Sequence, residues 1–138
     1  MHLLNLNLQR PGAITALAYG SFTGAGKGLS DEFIVARGNT LELLRVERAT
    51  GKLISVVVTP VFCVVRSLQA FRQVSTTRDY CAVGSDSGKI TILEYSEAAN
   101  ELRAVHCETM GKTGCRRIVP GQFLAADPQG RAILIAAL

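Results

Sequence analysis

The chain of 138 residues is 48% hydrophobic and 19% charged, a composition that argues against intrinsic disorder, and its length suits one domain. Its net charge of +4 comes from 15 basic and 11 acidic residues dispersed along the chain, whereas a nucleic-acid-binding domain usually concentrates its bases on one face. The longest apolar stretch, residues 53–65, contains Ser55, Thr59 and Pro60 and is too short to span a bilayer, so no membrane partner is expected.

In chain order, the apolar runs predict short β-strands separated by turns. Val, Ile, Leu and Tyr dominate these runs, and no window carries a sustained helical period. An early strand over residues 2–8 lacks an obvious partner in this chain. The runs that follow form two groups of four and one of three: residues 14–22, 32–36, 41–46 and 52–59, then 64–71, 80–84, 89–95 and 102–108, then 117–119, 122–126 and 131–136.

An internal repeat organises these strands. Phe33, Tyr80 and Phe123 each open an apolar strand that leads into a turn rich in Gly, Asp, Asn or Pro and then into a second apolar run, and these starts are 47 and 43 residues apart. Such a period is typical of β-propeller blades. The predicted fold is all-β, a partial WD40-like propeller with antiparallel four-stranded blades over the ranges 14–59 and 64–108, a partial blade over 117–138, and residues 1–9 as a ring-closing strand.

Three aspartates border the predicted turns and are interpreted as turn formers: Asp79, Asp86 and Asp127. Residues 127–130 read Asp-Pro-Gln-Gly, which fits a type I turn. In the turn before Lys89, we expect Asp86 to cap the backbone and Gly88 to adopt a positive φ.

The stretch "VGSDSGKITILEY", residues 83–95, also bears a superficial likeness to a phosphate-binding loop. Such a loop needs four residues between its glycines, then Lys, then Ser or Thr, and a helix must follow. Here three residues separate Gly84 from Gly88, and Lys89 is followed by Ile90 and a β-branched strand. A nucleotide-binding enzyme is therefore the disfavoured alternative, and no cofactor is expected.

The four cysteines, Cys63, Cys81, Cys107 and Cys115, lack the spacing of a zinc or redox motif. We therefore expect four free thiols and no metal site. His106 lies in a predicted strand without a supporting catalytic motif, so no catalytic residue is predicted.

Several segments carry a specific resemblance to a known family: "FIVARGNTLELLR" from residue 33, "VVRSLQAFR" from residue 64, "GSDSGKITILEY" from residue 84 and "GKTGCRRIVPGQFLAADPQGRA" from residue 111. They are similar to the N-terminal part of the splicing factor 3b subunit 3 family, and the resemblance covers nearly the whole chain. The wider family, whose match is looser, includes the large subunit of the damaged-DNA-binding ubiquitin-ligase adaptor and the largest subunit of the cleavage and polyadenylation factor.

The resemblance implies a nuclear protein of pre-mRNA splicing that acts as a non-catalytic scaffold in the branch-site-recognising ribonucleoprotein. Members are much longer and carry three propellers. The partners it implies are the HEAT-repeat subunit and a small companion subunit, with no small-molecule substrate. A cullin ubiquitin-ligase adaptor or a cleavage and polyadenylation subunit is the alternative of the same architecture. Direct RNA binding is expected to be weak, because the positive charge is dispersed.

Two features of the chain remain open on sequence grounds. Arg116 and Arg117 are candidate interaction residues that could contact RNA phosphate or a partner carboxylate, although they could equally discourage strand pairing at a sheet edge. The chain matches only the first blades of the first propeller, so we expect that residues 1–138 alone do not close a ring of blades.

Overall fold

A computed structural model describes residues 12–24, 31–110 and 121–136. Every regular element in this described part is a β-strand, which confirms the all-β prediction. The strands are β1 (Ala16–Gly20), β2 (Glu32–Arg37), β3 (Thr40–Glu47), β4 (Lys52–Pro60), β5 (Val65–Phe71), β6 (Tyr80–Ser85), β7 (Lys89–Ser96), β8 (Glu101–Thr109), β9 (Leu124–Ala126) and β10 (Ile133–Ile135). Across those ranges, nothing resembles a helix of the length and apolarity that a membrane crossing requires.

The strands form two four-stranded antiparallel sheets and one hairpin. The first sheet has the order β1-β2-β3-β4, the second has the order β5-β6-β7-β8, and β9 pairs with β10. This repeated up-and-down sheet is the architecture of propeller blades, so the predicted partial propeller is confirmed as a fold class. We propose that each sheet is one blade. The suggested ring-closing strand at residues 1–9 and the strand at 117–119 lie outside the described residues.

The two four-stranded sheets also share a backbone irregularity, a β-bulge on the outermost strand of each. In the first sheet the register between β3 and β4 shifts between Leu43 and Leu44, which leaves Val56 as the extra residue of a bulge. In the second sheet the register between β7 and β8 shifts between Ile92 and Leu93, which leaves Val105 extra. Bulges bend a strand and increase its twist, so both outermost strands curve at the same place.

The turn predictions hold at residues 127–130 and 85–88. The Gly130 amide donates to the Asp127 carbonyl at 2.9 Å, which closes the predicted turn between β9 and β10. Gly88 has a φ of 77°, as expected, and its amide lies 3.2 Å from the Ser85 carbonyl. Within this turn the Lys89 amide is capped by Ser85 Oγ at 3.1 Å, whereas Asp86 caps a different part of the backbone. Its carboxylate accepts from the Val64 amide at 3.2 Å, outside its own turn.

The main core lies between the two four-stranded sheets. The first sheet contributes buried apolar side chains from alternate positions of β1, β2 and β3, and the second contributes them from β5 to β8. The members are Ala18, Ile34, Ala36, Leu41 and Leu43 on one side and Val65, Cys81, Val83, Leu93, Tyr95 and Leu102 on the other, with Phe22 beside them. Full burial of a large apolar side chain is worth about 1.5–3 kcal/mol, so this layer fixes how the sheets pack.

Candidate interaction surfaces

The predicted interaction residues Arg116 and Arg117 lie outside the described residues, so their role stays a prediction. In the described residues, the structure shows which groups the acidic side chains bind and which part of the surface is apolar.

The Gly-Lys segment that resembles a phosphate-binding loop is a β-hairpin. Gly84 lies within β6, Gly88 lies in the turn, and Lys89 opens β7, so a strand follows the lysine as predicted. Gly84 has a packing role: a Cβ atom at this position would overlap the carbonyl oxygen of Gly121 and crowd the Ser67 hydroxyl. The absent side chain therefore lets the β9 region approach the second sheet closely.

A buried carboxylate at the start of β2 organises the end of the first strand, and the sequence reading missed it. The Glu32 side chain is fully buried and accepts hydrogen bonds from the backbone amides of Phe22 at 2.7 Å and Thr23 at 2.9 Å. It also accepts from the Thr23 hydroxyl at 2.6 Å and from Arg45 Nε at 2.9 Å. Because the charge is paired and hydrogen-bonded, its burial is tolerated, and it holds the backbone after β1 against β2 and β3.

A second carboxylate joins the two sheets. Asp79 Oδ2 accepts from the Ser21 amide at 2.7 Å, while the Asp79 amide donates to the Ser21 carbonyl at 2.9 Å. Arg72 Nε donates to Asp79 Oδ1 at 2.7 Å, and this hydrogen bond raises the pKa of the guanidinium. Asp79 therefore does more than form a turn, since it ties the backbone after β1 to the connection between β5 and β6.

The third predicted turn aspartate is paired within its own hairpin. Arg131 Nε donates to Asp127 Oδ2 at 2.6 Å, and this hydrogen bond is the main reason that the pKa of the Asp127 carboxyl is lowered. The carboxylate oxygens of Glu32, Asp79 and Asp127 thus accept hydrogen bonds that stabilise the fold. This use leaves them poorly suited to act as general acids or bases.

The described cysteines and the described histidine differ in exposure. Cys81 is fully buried in the core, which raises the pKa of its thiol to about 12. Partial burial, and secondarily the charge of Asp86, raises the pKa of Cys63. Cys107 is exposed on β8. The exposed His106 has Nε2 4.0 Å from Glu108 Oε2, and no grouping of metal-binding side chains occurs among the described residues.

An apolar groove of about 460 Å³ separates the outer part of the second sheet from β10. Its walls include Ile90 and Ile92 on β7, Val105 on β8, and Ile133 and Ile135 on β10. The first strands of these two units, β5 and β9, are in contact.

These repeated antiparallel sheets, packed face to face with their first strands adjacent, define a β-propeller protein. The profile of the family described as "RSE1/DDB1/CPSF1 first beta-propeller" matches residues 13–138, and the chain belongs to that family. The resemblance drawn from the sequence is thereby confirmed.

Within the family, the chain is similar to proteins of one kind. It is 50% identical over 138 residues to "Splicing factor 3B subunit 3" of Drosophila melanogaster and 52% identical over 137 residues to the protein of the same name in Danio rerio. It is 51% identical over 138 residues to "Pre-mRNA-splicing factor RSE1" of Mycosarcoma maydis. These alignments cover 99–100% of this chain but 11% of each relative, so the chain spans about a tenth of their length.

Proposed function

We propose that this chain is a non-catalytic scaffold segment of a splicing factor 3b subunit, acting in pre-mRNA splicing in the nucleus. The observation that carries the proposal is the identity of about one half over the whole chain to proteins named as splicing factors in an insect, a fish and a fungus. The proposed contacts are with other proteins of the branch-site-recognising ribonucleoprotein, especially the HEAT-repeat subunit and a small companion subunit.

The structural use of the polar groups supports a scaffold rather than an enzyme. Glu32 and Asp79 are held by backbone amides and arginines at 2.7–2.9 Å, and the Gly-Lys segment is a hairpin. A scaffold needs a rigid surface, and these hydrogen bonds supply rigidity at the ends of the strands.

Affinity capture of the tagged full-length product from nuclear extract tests this proposal. We expect the HEAT-repeat splicing subunit to be recovered, because the relatives named here are splicing subunits. The family description also names two other members, and each predicts that a different set of proteins is recovered. Recovery of cullin-ligase components or of polyadenylation factors, without splicing subunits, would contradict the proposal and favour the corresponding relative.

A further inference from the structure

We draw no further inference here: the strongest candidate, the apolar groove of about 460 Å³ between β10 and the strands β7 and β8, carries none because nothing in the structure shows what covers it.

Discussion

The two places where neighbouring sheets meet differ in how completely they are closed. Between the first and second sheets, β1 lies against β5 on the inside and β4 reaches β8 on the outside, with a continuous buried layer between them. Between the second sheet and the β9–β10 hairpin, the inner contact of β5 with β9 is present, but the outer part opens into the groove of about 460 Å³.

We call each place where two neighbouring sheets meet a joint. The difference shows which strands cover the apolar side chains at a joint. At the inner end, small residues are enough, since Gly84 and Gly121 approach each other where a side chain would not fit. At the outer end, apolar side chains of β7 and β8 need a strand to cover them. Between the first two sheets β4 supplies this cover through its contact with β8. The half-buried Val56 and Val57 of β4 thereby add to the core between these two sheets.

The largest effect is expected from removing the buried Glu32 carboxylate, which holds the backbone after β1 within the first sheet. Glu32→Ala would leave the amides of Phe22 and Thr23 without their acceptor and would leave Arg45 with the Thr23 hydroxyl in place of the carboxylate, so we expect a loss of about 3–5 kcal/mol in the free energy of unfolding. Urea denaturation followed by circular dichroism measures this loss. Glu94→Ala is the control, because its pair with Arg103 lies at the surface and should contribute less than about 1 kcal/mol. Similar losses for the two variants would show that Glu32 does not organise the backbone that follows β1.

Matched truncations of apolar side chains test the comparison of the two joints directly. Leu43 is fully buried in the closed joint, and Leu43→Ala should cost about 2–5 kcal/mol, because it removes methyl groups and leaves a cavity. Ile133 on the wall of the open groove is only partly buried, and Ile133→Ala should cost less than half as much. Urea denaturation followed by circular dichroism measures the loss in the free energy of unfolding for both variants. A larger loss for Ile133→Ala would mean that the groove is closed in solution.

The sequence predicted the strands well because their signals are local. The apolar runs around Phe33 and Tyr80 are bounded by glycine and aspartate, and the structure places β2 and β6 there. The predicted turn at 127–130 was also found, since Pro and Gly at the required positions favour one backbone path.

The contacts between residues distant in the chain could not be predicted in the same way. Nothing local distinguishes Glu32 from a solvent-exposed glutamate, since its donors come from Phe22, Thr23 and Arg45, between 9 and 13 residues away. Asp79 binds the Ser21 amide across 58 residues.

A smaller effect is expected at the inner contact of the open joint. Gly84→Ala places a methyl group against the Gly121 carbonyl, so we expect a loss of about 1–3 kcal/mol from the strain of overpacking. Gly12→Ala is the matched control, because an added Cβ there meets nothing within 4 Å. Amide hydrogen exchange around β9 should accelerate in Gly84→Ala and not in Gly12→Ala. Unchanged exchange in both variants would show that the two glycines do not hold the hairpin against the sheet.

The smallest effect concerns the thiols, which report on closure without disturbing it. The thiolate is the nucleophile, so a raised pKa and burial both slow alkylation. At pH 8 we expect iodoacetamide to modify the exposed Cys107 first, the half-buried Cys63 more slowly, and Cys81 last, because Cys81 lies in the closed joint with a pKa of about 12. Peptide mass spectrometry after timed quenching gives the three rates. Modification of Cys81 as fast as Cys107 would mean that the closed joint opens readily.

The Cys81 thiol also makes the free energy of unfolding depend on pH. The unfolded chain releases the Cys81 proton near pH 9, while the folded chain keeps it until about pH 12. The folded state therefore holds more protons between these values, so the contribution of this thiol is complete below pH 9 and is lost as the pH rises. We expect unfolding to become easier by about 1 kcal/mol between pH 9 and pH 10. Cys81→Ala, compared with the parent chain over the same range, should lack this portion of the slope, and an identical slope in both would contradict the burial of the thiol.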